Sequence, residues 1–105
     1  MTAACEETFG PAAAILRVRG AEEAVQLANS LDYGLGAALW SADVARATAL
    51  ARRIEAGAVF INALVASDPR LPFGGIKQSG YGRELGACGA REFTNVKTLW
   101  IGPTR

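Results

Sequence analysis

The chain has 105 residues, eleven basic and ten acidic, for a formal charge of +1, and it contains no histidine. Half of the residues are hydrophobic and a fifth are charged, an ordinary globular composition that suits one small α/β domain rather than a disordered or fibrous chain. The balanced charge, with Arg52-Arg53 as the longest basic run, gives nucleic-acid binding no electrostatic footing, and no stretch reaches the ~20 apolar residues of a membrane helix.

Without histidine, no Ser-His-Asp triad, Cys-His pair or His-bearing zinc site can be assembled from this chain. Cys5 and Cys88 form no Cys-x-x-Cys spacing and are too few for a disulfide framework, so no metal is expected and both read as reduced thiols of a cytoplasmic protein. Residues 1–10 hold two Glu and no basic residue, which does not fit a secretory leader.

Along the chain, residues 13–18 predict a strand with Leu16 and Val18 on one side and Arg17 and Arg19 flanking them on the other. Gly20 stops it. Residues 21–31 predict a helix, because Ala24, Leu27, Ala28 and Leu31 make one apolar stripe and Glu22 and Glu23 sit where the helix dipole favours anions. Residues 32–34 have turn chemistry, and residues 36–40 predict a short apolar strand. Ser41 is the expected N-cap of a second helix, with Asp43 in its first turn. Val44, Ala47, Ala51 and Ile54 supply that helix's apolar stripe. It is expected to run to about Ala56, with Arg52 and Arg53 in the last turn and Gly57 as the stop. Residues 58–61, Ala-Val-Phe-Ile, predict a strand buried on both faces. The order β-α-β-α-β predicts a parallel unit with right-handed crossovers.

The second half changes character. Residues 63–83 carry two prolines and four glycines and predict a long Gly-rich loop, a feature that in compact domains is usually functional or disordered. A short helix over residues 83–93 is weakened by Gly86 and Gly89. Residues 97–101 predict a last strand with no partner inside the chain.

Two glycine motifs fail on inspection. Gly80-Tyr81-Gly82 lacks the third glycine of a dinucleotide fingerprint, where Leu85 stands instead, and it follows a loop. Gly75 to Gly80 has P-loop glycine spacing, but Tyr81 replaces the lysine. Glu6-Glu7 could pair as acid and base, although such a pair before Gly10-Pro11 is more often a solvated surface.

Four segments in order resemble the aldehyde dehydrogenase superfamily. They are Glu6-Glu7-Thr8-Phe9-Gly10-Pro11, then Ala28-Asn29 with Asp32-Tyr33-Gly34-Leu35, then Glu55-Ala56-Gly57 through Ile61-Asn62. The last is Pro72-Phe73-Gly74-Gly75-Ile76-Lys77-Gln78-Ser79-Gly80, continuing to Gly82-Arg83-Glu84 and Lys97. The run Val65-Ala66-Ser67-Asp68-Pro69-Arg70-Leu71 is most similar to succinate-semialdehyde dehydrogenases.

The resemblance implies a partial catalytic domain. Its parallel β-α-β-α-β unit is followed by a Gly-rich loop, a short helix and a C-terminal assembly strand, with residues 1–105 forming the C-terminal fragment of the catalytic and oligomerisation region. It implies NAD or NADP as cofactor. Glu7 would hold the nicotinamide ribose, because one carboxylate can accept from two vicinal hydroxyls. Phe9 would pack near the nicotinamide ring. Phe73 would line the aldehyde tunnel, with Ser67 or Arg70 as its polar groups and Arg70 suited to a substrate carboxylate. Solvated loop residues are an equal reading of Ser67 and Arg70.

The family's chemistry runs through a cysteine nucleophile and a glutamate base that precede the matched region, so neither Cys5 nor Cys88 inherits a catalytic role. The expected partners are the missing N-terminal portion of the enzyme, a small aldehyde and, in the full-length family, further copies in a homo-oligomer. The match begins near Met1, so the chain is expected to be a truncated product or one part of a split protein. The alternative is an inactive fragment serving as an assembly or interaction module, or a remnant.

Overall fold

The computed structural model describes residues 4–104; Met1, Thr2 and Ala3, within the stretch weighed as a leader, and Arg105 lie outside the described residues. The elements in order are α1 (Ala21–Asn29), β1 (Tyr33–Gly34), β2 (Gly36–Leu39), α2 (Val44–Ala51), β3 (Ala58–Ile61), β4 (Ile76–Lys77) and α3 (Gly86–Glu92).

The parallel unit is real but shorter than expected. β2 pairs with β3 in parallel, Gly36 opposite Ala58 through Leu39 opposite Ile61, and α2 makes the crossover. The small side chain of Ala47 lets α2 approach β3 closely. Ala47 is 1% exposed and, with Val25 of α1 at 5%, makes up the buried hydrophobic core of the described residues.

Helix ends follow local hydrogen bonding rather than the apolar stripe. The N-cap of α2 is Asp43, whose carboxylate accepts from Arg46 N, while Ser41 Oγ accepts one step earlier from Asp43 N at 3.1 Å. The helix ends at Ala51 instead of Ala56. Arg53 N and Ile54 N donate three residues back, to Leu50 O and Ala51 O, which tightens the last turn. The next amide, Glu55 N, is then captured at 2.8 Å by Asn29 Oδ1. Likewise α1 stops at Asn29 rather than Leu31, with Ser30 Oγ donating to Leu27 O. At its start Gly20 offers no side chain, and Glu23 instead folds back to accept from Arg19 N at 2.8 Å.

Three strand expectations change. Residues 13–18 form no strand, and Ile15 is 95% exposed. Residues 97–101 also form none. A ladder needs a neighbour about 4.8 Å away, and among the described residues no strand lies beside either segment. β3 is half-buried along its length rather than buried, because α2 covers one side only.

The loop over residues 63–83 proves more ordered than its composition suggests. β4 within it pairs antiparallel with β1, Tyr33 opposite Lys77 and Gly34 opposite Ile76. Tyr33 and Gly34, expected in a turn, therefore lie in a strand. Phe73 and Glu84 then exchange two backbone bonds of 2.8 Å, closing residues 73–84 into a compact excursion. α3 starts only at Gly86 because Leu85 has φ 62° and ψ 170°, outside the helical region.

The result is long and open. The radius of gyration is 18.8 Å and the extents are 71 × 33 × 24 Å, against about 13 Å for a compact domain of this length. Accessible surface is 8747 Å², well above the about 5,600 Å² expected for a compact chain of this mass. Large apolar side chains therefore stand in water, among them Phe9, Trp40, Phe93, Leu99, Trp100 and Ile101.

A chain that covers so little of its surface exposes little more on unfolding. Urea unfolding of the isolated chain, followed by circular dichroism, should be broad, with an m-value under about 1 kcal/mol/M. A sharp transition with an m-value well above that would show a core larger than the one described here.

Candidate functional site

Two grooves carry the polar groups. The first, about 380 Å³, lies where β1, β2 and the segment after α2 meet the N-terminal residues. Cys5, Glu6, Glu7, Tyr33, Gly34, Glu55 and Ser79 are among its lining. Gly34 N donates to Ser79 Oγ at 3.0 Å, which ties β1 to the turn after β4. Glu7 is exposed at this groove and takes part in no ion pair among the described residues, so its carboxylate is free to accept. Phe9, two residues on, is 93% exposed and stands outside the groove. The chain turns at Gly10-Pro11, with Ala12 N donating to Gly10 O at 2.8 Å.

The frame around this groove rests on long-range contacts that residue spacing does not signal. Asn29 Nδ2 donates to Arg53 O and its Oδ1 accepts from Glu55 N, both at 2.8 Å. One amide thus clips the end of α1 to the segment leaving α2. Lys77 Nζ reaches the same place, donating to Asn29 O at 2.7 Å and Leu31 O at 3.0 Å and pairing with Glu55 at 2.8 Å. A cation beside the free carbonyls of a helix C-terminus is favourably placed. Arg53 grips Glu22 with its two terminal guanidinium nitrogens, and these hydrogen bonds, then the opposite charge, hold Glu22 below its ordinary range. Asn29 and Lys77 both lie inside the family-like segments, which was the available signal.

The second groove, about 550 Å³, opens on the other side of the start of β3. Its apolar wall includes Val59, Phe60, Leu71, Pro72 and Phe73, and its charged lining is Asp68 and Arg83. Phe73 thus sits in a concave apolar wall. Ser67 and Arg70 do not line the groove; both are exposed. Arg70 is committed to Asp68, its Nε donating to Oδ1 at 2.9 Å and its Nη2 to Oδ2 at 2.6 Å, while its backbone N also donates to Oδ1. These side-chain bonds, then the backbone bond, hold Asp68 below its ordinary range, and the side-chain bonds raise Arg70. Arg83 spends Nη1 on Gly75 O at 2.8 Å and Gly82 O at 2.7 Å, bracing the excursion that carries Phe73.

The division between the grooves depends on Gly57. A Cβ there would fall 1.7 Å from Gly74 O, so the Pro-Phe-Gly-Gly segment lies directly against the entry to β3. Cys5 borders the first groove and Cys88 is exposed on α3; the two thiols are free and serve different regions. Among the described residues no group of three or more Cys, Asp or Glu could hold a metal ion.

The profile of the aldehyde dehydrogenase family matches residues 1–99. The chain belongs to the aldehyde dehydrogenase family. It is 56% identical to an aldehyde dehydrogenase of Paenarthrobacter nicotinovorans, over 90% of this chain and 21% of that protein. It is 55% identical to a probable NADP(+) succinate-semialdehyde dehydrogenase of Synechocystis, over 91% of this chain and 21% of that protein. Among solved structures, it superposes with TM-score 0.90 and 45% identity on the succinic semialdehyde dehydrogenase of Streptococcus pyogenes in complex with NADP+, covering 95% of this chain and 22% of that one. The salicylaldehyde dehydrogenase of Pseudomonas putida, complexed with salicylaldehyde, gives TM-score 0.92 and 40% identity over 97% of this chain and 21% of that one. The chain therefore spans about a fifth of the length of the relatives it matches. Its open shape is the shape of one segment within much longer aldehyde dehydrogenases.

The Asp68–Arg70 pair yields a direct test. Asp68 should titrate below 3.8, its ordinary value, as followed by the carboxyl carbon shift. Arg70→Ala should move that midpoint back up toward it. A group with a lowered folded pKa adds stability at pH above the ordinary value and loses it as pH falls through the lowered one, so this pair fades only in acid.

Proposed function

We propose that this chain is the C-terminal piece, residues 1–105, of an NAD(P)-dependent aldehyde dehydrogenase acting in the cytoplasm, and that it turns over no substrate alone. The observation that carries this is the family match over residues 1–99 joined to a groove bordered by the unpaired Glu7 carboxylate. Glu7 accepts from the ribose hydroxyls of the nicotinamide half, a task that suits an exposed, uncommitted carboxylate. Phe9 packs near the nicotinamide ring once neighbouring protein brings the ring to it. Phe73 forms a wall of the aldehyde tunnel, and the loop holding Ser67 and Arg70 supplies polarity at its mouth.

Two free thiols accord with a reducing compartment. The substrate we favour is succinate semialdehyde, supported by identity of 51–55% to several succinate-semialdehyde dehydrogenases.

The fit to a dinucleotide is partial. The residues present suit a ribose, but the chain carries no glycine-rich strand-to-helix turn for the phosphates. When bound, the cofactor would accept the aldehyde's hydride. This chain's own contribution is to hold the ribose and shape the tunnel, while the nucleophile and the base come from the N-terminal portion. Further copies of the whole enzyme complete a homo-oligomer.

Mixing the purified chain with the N-terminal portion of a full-length relative should restore aldehyde-dependent formation of NAD(P)H. Glu7→Gln should lower that activity about tenfold or more, the loss of one charged hydrogen-bond acceptor. A soluble, associated mixture that stays inactive would refute the reading. By calorimetry the isolated chain should bind NAD and NADP no tighter than about millimolar, because one ribose contact leaves most of the cofactor unheld.

The exposure of Leu99, Trp100 and Ile101 favours a second reading. Here the chain is an inactive module that pairs its C-terminal segment with another strand. Sedimentation across concentration should then show association that is lost on Trp100→Asp. A strictly monomeric, well-folded chain would exclude it.

A further inference from the structure

We infer that Arg70 sets substrate charge preference by neutralising Asp68, without itself touching substrate. This deepens the proposed aldehyde dehydrogenase function and rests on it for the identity of the second groove. The side chain that reaches the groove from this loop is Asp68, half-buried and on its lining. Arg70 lies behind it, 85% exposed and off the lining, with its fork closed on both carboxylate oxygens. A guanidinium presents one bidentate edge well matched to a carboxylate, and here Asp68 occupies it. For Arg70 to seize a substrate carboxylate, it would have to leave Asp68 and expose an unpaired carboxylate to the incoming anion.

The charge balance shows what the pair accomplishes. The groove holds one carboxylate, Asp68, and one guanidinium, Arg83. With Arg70 paired to Asp68, the two guanidiniums exceed the one carboxylate, and the local balance is +1. Without Arg70 the balance falls to zero, and a bare carboxylate faces the tunnel. An aldehyde bearing its own carboxylate would be attracted in the first case and would meet a like charge in the second. Arg83 cannot compensate by moving, because its Nη1 braces Gly75 O and Gly82 O. Arg70 is therefore a positioning residue that acts through Asp68.

The two possible roles of Arg70 diverge in a double-variant cycle on the reconstituted enzyme, the chain plus the N-terminal portion. The readout is the ratio of kcat/KM for succinate semialdehyde to kcat/KM for an uncharged aliphatic aldehyde. Arg70→Met should lower that ratio about tenfold, chiefly through KM for the anionic aldehyde. Asp68→Asn combined with Arg70→Met should recover most of the loss, because the unpaired carboxylate is gone. If the double variant is as poor as Arg70→Met alone, Arg70 binds substrate directly and the inference is overturned.

A mixture that oxidises no aldehyde would count against the proposed function itself. In that event the inference is read on the isolated chain by the Arg70 Nε–H resonance. Added succinate should leave it unmoved, and a shift on titration would overturn the inference. Loss of that resonance in Asp68→Asn confirms that it reports the pair.

Discussion

Backbone meets backbone where Gly57 opens β3 and Gly74 turns through the Pro-Phe-Gly-Gly segment. The carbonyl of Gly74 occupies the space in which any side chain on Gly57 would begin. That approach requires glycine for steric reasons, not for conformational freedom. It seats the excursion over residues 73–84 against the parallel ladder, and it separates the two grooves. Both grooves are placed relative to that contact. The carboxylate of Glu7 belongs to one side, and the wall built on Phe73 belongs to the other.

Around this junction, polar side chains do the joining that a hydrophobic core does elsewhere. Asn29 and Lys77 bind three carbonyls and an amide at the point where α1, β1 and the exit of α2 converge. Asn62 does the same at the other end of the ladder. Its amide accepts from Ser41 N and donates to Ser41 O, prolonging the β2–β3 pairing beyond its last residues. The ion pairs Arg19–Glu23, Arg53–Glu22 and Arg70–Asp68 are largely solvent-exposed. Each adds little to stability; their effect is to fix direction.

The helices and the parallel pair were legible because their signals are local. The apolar stripe of Ala47 and its neighbours and the run Ala58–Ile61 need only their own residues to declare themselves. Helix ends were misjudged where a distant group intervened, as Asn29 does at Glu55. The β1–β4 pairing joins residues far apart in the chain, and neither two-residue segment has a periodicity to detect. Residues 13–18 have the alternation of a strand, but strandedness is a relation between two segments, and the second is not among the described residues. At the site, motif resemblance located Glu7 and Phe73 at grooves. It also pointed to Arg70, where the groove is met by Asp68 instead; two adjacent loop residues of opposite charge give no clue in sequence to which one faces inward.

The uncovered apolar side chains carry a cellular consequence. Val96, Leu99, Trp100 and Ile101 form a short exposed apolar run with one charge, Lys97, and the outer edges of β2 and β3 are likewise unpaired among the described residues. Such surfaces are what chaperones bind and proteases sample. Synthesised alone, this polypeptide would be triaged within the cell. Its steady-state level would then follow the supply of whatever covers it, so that abundance itself becomes a reporter of complementation.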